Sequence, residues 1–411
     1  MICGDAAGRR ASDPLDRMRS SPNSGYGATG YGVTLSPFPL MRMPSAPADK
    51  FSGDLKTRSF ESTMPPWRDD GMEETLALDV IGNGGVFRHG DGYDEIARQL
   101  DEALDQRDAG AITPANYLEI LKSLVERCPH FIDGHAHLGA ALMEQGKPKL
   151  ALQAWLRGLE VGERAIPAGF AGPIEWGFLE NRPFLRAAHG AALGHLRLGR
   201  RREALAIMEK MLAWNPNDNQ GIRYLIGPEY LRSGEVEKAG RIFADEAETY
   251  PPFHYELALL HLRAGDFVAA ATSLRRGFVA NGYVAEMLSG NPDPAPLAIW
   301  HGSNLAEPET ARDYLKHCGD LWRRTRGAVA FLRWLHMHPK VLIERAGILE
   351  CQEALLWEHE VARRREIVDR EEAARKRIDD ALSKEIVQTR ADRQGRKILP
   401  WAYHAARFRY P

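Results

Sequence analysis

The sequence predicts an all-α fold: a solenoid of helix–turn–helix repeats with a long charged C-terminal helix and a disordered N-terminal tail. Three observations predict it. A small residue, a Gly seven positions later, an Ala five beyond that and a bulky apolar residue four further recur four times between Ile132 and Gly282. Apolar residues at helical spacing extend upstream of these copies, and a densely charged stretch with i,i+4 pairs follows them. A unit of this kind cannot bury its apolar face alone, so successive units must stack.

Residues 1–70 are rich in Ser, Pro, Gly and Arg, with few β-branched residues. Such a segment buries too little surface to offset its ordering entropy, so a disordered tail is expected. An initiator assigned too far upstream would also produce a tail of this kind. Residues 71–92 hold Gly82-Asn83-Gly84-Gly85 between short apolar runs, which reads as a loop or a short hairpin. Helical spacing begins near Asp94 with Ile96, Leu100 and Leu104. Thr113-Pro114 then joins a capping residue to a proline at the first helical position. The stripe Tyr117, Leu121, Leu124 follows and closes at Cys128-Pro129. These two helices fall where a degenerate repeat belongs, so the solenoid is expected over 93–338.

The recognisable repeats lie near 132–163, 185–218, 220–250 and 251–283, with an insertion at 164–184. Their repeating residues are Gly139, Gly146, Ala151 and Trp155, then Ala192, Gly199, Ala204 and Met208. The third copy has Gly227, Gly234, Ala239 and Phe243, and the fourth Ala258, Gly265, Ala270 and Leu274. Antiparallel helices approach closely only where side chains are small, and the larger residues fill the space beside them. Pro216 and Pro251 stop the second helices at their exits. Two more helices are expected near Glu309–Arg324 and Gly327–His336. After Pro339 a long charged helix is expected over 339–390. The aromatic-rich tail 391–411, with Trp401, Tyr403, Phe408 and Tyr410, is expected to dock back on the body.

Period and residue types resemble the tetratricopeptide repeat family. The resemblance implies a right-handed solenoid whose first helices line a concave groove through positions 2, 5, 9, 12 and 13 of each copy. Some copies depart from the pattern: Glu163 and Gly282 replace the exit proline, and Glu246 stands where a small residue is usual. Glu180-Asn181-Arg182-Pro183-Phe184 and Asn215-Pro216-Asn217-Asp218-Asn219-Gln220-Gly221 look like uncharacterised bacterial repeat proteins. More distantly, this region is similar to the suppressor-of-tumorigenicity repeat family. That comparison covers about half the chain and implies a scaffold without an activity.

Position 13 of the copies reads Glu144, Arg197, Arg232 and Arg263, so three arginines are expected along one wall. Position 5 contributes Ala136, His189, Tyr224 and Tyr255. An arginine row beside aromatic residues suits an acidic, amphipathic peptide or a chain terminus. Arginine at this position also serves to cover the helix end and its dipole. The carboxylate clamp some family members use is not matched, because Ala136, Ala140, Gly190, Gly221 and Leu225 occupy its places.

Other chemistry finds little support. His135 and His137 are two apart on a helix, as are His336 and His338, and no cysteine or acidic cluster completes a ligand set. His254 and His261 share a face, but His195 and His261 occupy a packing position. Gly82-Asn83-Gly84-Gly85 lacks the Lys-Ser/Thr of a phosphate loop. No catalytic constellation, metal or cofactor is therefore expected. In the insertion, Trp176, Phe178 and Phe184 suggest either a plug between the first two copies or a lid on the groove. The formal net charge of −2 among 411 residues gives no steering toward nucleic acid. Acids flanking Arg363-Arg364-Arg365 nearly cancel its field, so nucleic-acid binding is disfavoured. No stretch approaches the roughly 18 apolar residues of a membrane span. Four scattered cysteines fit a reducing, cytoplasmic setting without disulfides.

The expected function is therefore a non-enzymatic scaffold or adaptor binding a peptide or helix of a partner protein. A self-assembling or regulatory subunit acting through the charged C-terminal helix is the alternative. An enzyme built around the insertion ranks below both.

Overall fold

The computed structural model describes residues 76–402. The expected tail at 1–70 and the aromatic residues Tyr403, Phe408 and Tyr410 lie outside the described residues. Two short strands come first, β1 (Leu76–Ile81) and β2 (Gly84–His89), paired antiparallel with Leu76 opposite His89. Of the two expectations for 71–92, the described part takes the hairpin. Two helices follow, α1 (Tyr93–Asp108) and α2 (Pro114–Arg127). Thr113 caps α2 by accepting from Asn116 N at 3.2 Å, and Ile96, Leu100, Tyr117, Leu121 and Leu124 are buried between the helices.

The four repeats are the pairs α3 (Ile132–Glu144) with α4 (Pro148–Ala165), and α5 (Arg182–Arg197) with α6 (Arg201–Trp214). Next come α7 (Ile222–Ser233) with α8 (Val236–Glu246), and α9 (Phe253–Ala264) with α10 (Phe267–Ala280). Together with α1 and α2 these pairs build a tetratricopeptide-like α-solenoid. The repeat glycines Gly146, Gly199, Gly234 and Gly265 all have φ between 71° and 83° and turn each first helix into its second. A side chain there would be strained. The small residues are equally constrained. A Cβ at Gly139 or Gly190 would lie 2.4 or 2.3 Å from Trp155 Nε1, and one at Gly227 would lie 2.6 Å from Phe243. Trp155 fills the gap between α3 and α5 and donates its indole N–H to Ala136 O at 2.9 Å.

The insertion is narrower than expected, because α4 runs through Ala165 and α5 starts at Arg182 with Pro183 in its first turn. Its irregular part is a packing element. Ile174 is fully buried and its N–H donates to Trp214 O at 2.6 Å. Asn181, also fully buried, donates to Gly85 O and Glu175 O and accepts from Phe87 N, each at 3.0 Å. Phe87, Phe184 and Trp214 pack in series as tilted rings, with centroids 5.1 and 4.8 Å apart. Trp176 is half-buried beneath Arg182, and Phe178 is exposed.

The C-terminal third corrects one expectation. Residues 339–390 do not form one long helix. After α11 (Gly282–Leu288), α12 (Pro308–Arg324) and α13 (Ala328–His336), the chain forms α14 (Pro339–Trp357), α15 (Val361–Lys376) and α16 (Asp380–Ile386). The first break is stabilised by Arg364, which donates to Leu355 O and Glu358 O at 2.6 and 2.7 Å and so satisfies carbonyls at the end of α14. The chain then folds back, with Gln352 donating to Glu371 at 3.1 Å and Arg370 to Cys351 Sγ at 3.2 Å. Of the i,i+4 pairs that the charged stretch predicts, Glu366–Arg370, Glu371–Arg375 and Glu372–Lys376, the last two form, whereas Arg370 turns to the Cys351 sulfur. The second break starts α16, capped by Asp379 accepting from Ala381 N at 2.9 Å. Ile378, Leu382 and Ile386 pack inward. Thr272 and Arg275 of α10 hold Ser383 Oγ at 2.8 and 2.9 Å. Two residue pairs, β3 (Arg390–Ala391) and β4 (Lys397–Ile398), bring Trp401 back against Phe267, Phe331 and Trp334, with centroids 4.7 to 5.4 Å apart. No helix among the described residues is long and apolar enough to cross a membrane.

Because Trp155 occupies the place of a Gly190 side chain, Gly190→Val is expected to cost about 1–3 kcal/mol by overpacking. Urea unfolding measures it, with a lowered midpoint and an unchanged slope as the expected result.

Candidate functional site

The inner wall of the solenoid is only partly open. Helix α12 lies against the face that the repeats assign to the groove, over α7 and α9. Its apolar residues Tyr314, Cys318, Leu321 and Trp322 recur at helical spacing and are buried. Tyr255 lies 5.8 Å from Tyr314 and 6.4 Å from Trp322, ring to ring, and its hydroxyl donates to Asn281 O at 2.6 Å. Tyr255 is therefore a core residue and not an open groove contact.

Arg232 ties the two layers together. It donates to Glu229 at 2.6 Å, to Asp320 of α12 at 2.8 Å and to the His317 carbonyl. Only 8% of its side chain and 6% of that of Glu229 is exposed. Burial opposes the charge on Arg232, but the hydrogen bond to Asp320 and the field of Glu229 outweigh it and raise its pKa. Burial likewise opposes ionisation of Asp320, yet Arg232 holds that carboxyl below its ordinary value. Arg263 donates Nε and Nη2 to Thr325 Oγ1 at 3.1 Å, at the end of α12. Of the expected wall of three arginines, Arg232 is thus closed off by the chain's own helix, whereas Arg263 stays exposed while bonded to that helix's end.

The remaining members fall differently. Tyr224 is half-buried and packs its ring 4.4 Å from Tyr250 and 6.1 Å from Phe253. His189 is buried, and desolvation lowers its pKa to about 4, so it is neutral near pH 7. Arg197 is exposed at the end of α5 and makes no ion pair among the described residues. It lines a cavity of about 310 Å³ with Leu196, Arg201, Glu229, Arg232 and Asp320. Three guanidinium groups there face two carboxylates, and Arg201 pairs with Glu229. Sequence spacing located Arg197 but missed Arg201, Glu229 and Asp320. Glu229 carried a signal, since an acid at position 10 of a buried helix demands a cation.

Beneath α12 sits a buried acid, Glu256. No ordinary hydrogen bond reaches either carboxylate oxygen, and the Cys318 thiol and Tyr314 hydroxyl are its polar neighbours. Burial pushes its pKa up to about 8. The histidines act as packing groups: His135 lies 3.0 Å from Pro129 O, and desolvation lowers the pKa of His254 and His336. Among the described residues, no group of three His, Cys, Asp or Glu is arranged to hold a metal ion.

No family model matches the sequence, and no curated protein matches it. Solved structures do show partial likeness. MamA from Desulfovibrio magneticus RS-1 is 18% identical over 46% of this chain and 94% of its own, with a TM-score of 0.35. A second MamA structure is 14% identical over 45% and 91%, with a TM-score of 0.36. The TPR-like repeats of a kinesin-light-chain-type protein from Podosopora anserina are 15% identical over 46% and 95%, with a TM-score of 0.35. The narrower resemblance to the suppressor-of-tumorigenicity family gains no support from these matches.

Two measurements check the seat of α12. Removing the buried cation in Arg232→Ala is expected to cost about 3 kcal/mol, because Asp320 loses its close partner and keeps only Arg324 at 3.8 Å, while Glu229 keeps Arg201. Calorimetric or urea unfolding reads this directly. For Glu256, the folded pKa lies above the ordinary carboxylate value, so the native state binds the extra proton. Its contribution to stability is fully present below about 4.5 and is lost as pH rises to about 8. Glu256→Gln is therefore expected to flatten that decline, with a gain over wild type that is larger at pH 9 than at pH 5.

Proposed function

We propose that this chain is a non-enzymatic scaffold that receives an acidic segment of another protein in the part of its groove that α12 leaves open. The observation that carries this reading is Arg197. It stands exposed and without an ion pair among the described residues, on the rim of a cavity holding Arg201 and Arg232. A carboxylate entering that cavity meets one guanidinium already free and two more held in fixed orientation. Fixed guanidinium groups lose less freedom on binding than mobile ones and favour planar, two-oxygen anions. Leu196 supplies apolar contact beside the charge. The near-balanced net charge of the chain argues against nucleic acid as the partner.

Charge reversal tests the reading. Arg197→Glu, with an unaltered thermal midpoint, is expected to reduce recovery of the co-purifying partner by about tenfold at low salt. Equal recovery by the folded variant and the wild type sinks the proposal.

A second reading, self-association, draws on the outer face of α14 and its junction with α15. Ile343, Trp357 and Val361 are 74%, 76% and 81% exposed there. Trp357 and Val361 adjoin at the helix junction, and adjoining apolar residues of this size are costly to leave in water. Under this reading Trp357→Glu lowers the sedimentation coefficient of the full chain. A wild-type chain that is already monomeric rejects it.

A further inference from the structure

The connection Ser289–Glu307 between α11 and α12 contains no regular element beyond a short 3₁₀ turn at Asn304–Ala306. Connections of this length are uncommon in compact folds and often serve binding. This one is held in place at several points. Leu297 N donates to the Tyr283 hydroxyl at 2.8 Å, and Trp300 N to Gln352 O at 3.0 Å. Asn281 Nδ2 donates to Leu305 O at 2.8 Å and Glu307 O at 3.1 Å. The fixed loop encloses a cavity of about 40 Å³ against α10, α11 and α14, with Phe278, Tyr283, His301 and Ile348 in its walls. His301 and Gln352 also line a wider groove of about 740 Å³ beside α15, so the two spaces adjoin.

Two opposite charges line the small cavity without pairing. Arg345 of α14 makes no ion pair among the described residues. Its guanidinium lies 5.9 Å from the Phe278 ring and makes one long hydrogen bond, 3.5 Å to His336 O. Glu286 of α11 also makes no ion pair among the described residues, and Asn291 donates to it at 3.3 Å. Charges withdrawn from water are ordinarily paired. Desolvation lowers the pKa of Arg345, a penalty that a bound anion would relieve. The neighbouring wall is otherwise largely apolar.

We propose that this cavity binds an α-carboxylate together with the N–H on its α-carbon, with the carboxylate on Arg345 and the N–H facing Glu286. The remainder of the ligand leaves past His301 into the wider groove. Size sets the division, since about 40 Å³ holds on the order of three waters and hence only the headgroup. A carboxylate alone would meet the like charge of Glu286, and the neighbouring N–H turns that conflict into a contact. A free amino acid and the C-terminal residue of a peptide share this headgroup. The site uses neither Arg197 nor α7, so it stands or falls separately from the scaffold reading.

The test is calorimetric titration of the full-length chain with leucine, leucinamide, acetyl-Ala-Ala-Leu and the C-terminal amide of that tripeptide. At least one of the two carboxylates is expected to saturate at one per chain, with neither amide doing so. Arg345→Met is expected to weaken binding by about tenfold or more, and Arg345→Lys to restore it only in part. Tighter binding of the tripeptide, reduced by Trp300→Ala, assigns the site to chain termini; leucine binding alone assigns it to free amino acids. Failure of both carboxylates to saturate below about 10 mM overturns the proposal. Equal binding of acids and amides overturns it too, and that comparison needs no variant.

Discussion

Arg232 holds the inner face of the solenoid to the helix that returns across it. Its guanidinium joins Glu229 on its own helix to Asp320 and the His317 carbonyl on α12. A charge this deeply placed survives because each of its three nitrogens meets an oxygen of Glu229, Asp320 or His317. Around it, Tyr255, Tyr314 and Trp322 pack into one apolar block, with Trp322 donating to the Tyr314 hydroxyl at 2.8 Å. This block determines which part of the groove is open. Over α7 and α9 the chain is its own ligand, and beside α5 it is not.

The repeats supply the surface on which that helix rests. Their spacing works because each bulky residue on one helix needs a glycine or alanine opposite, as Trp155 does at Gly139 and Gly190. Solenoids expose an unpaired apolar face at each end unless something caps it. Here the hairpin and the insertion cover one region through Phe87, Asn181 and Phe184. At the other end α13, α14 and α16 wrap onto α10, where Arg275 is buried against Glu344 at 2.8 Å and Ser383 at 2.9 Å. The charged stretch itself, α15, packs against α14 and stays largely exposed, with Glu371 its one buried residue.

The repeat fold was legible in the sequence because its signals are local. Turn glycines, exit prolines and the apolar stripes of α1 and α2 all act within a few residues. The state of the groove was not legible, because it depends on contacts between residues far apart in the chain. Tyr255 and Arg263 have the right spacing for a binding wall, and nothing near them reveals that Trp322 will cover the first and Thr325 engage the second. The stripe Tyr314, Cys318, Leu321, Trp322 marks α12 as amphipathic without naming what it packs against. The break after Trp357 was missed for a related reason: Glu358-His359-Glu360 contains neither Gly nor Pro, and the reversal depends on Arg364 reaching back to two carbonyls. Arg197 was found by spacing, and its freedom became visible only beside the fate of the other two arginines.

Native-state hydrogen exchange most directly tests whether α12 is an integral filling of the groove. If it is, the buried amides around Cys318 and Leu321 open only with α7 and α9, at the same free energy and with the same denaturant dependence. Exchange of those amides through a separate, lower-energy opening, while α7 and α9 stay protected, would contradict that description and return Arg232 to an open groove.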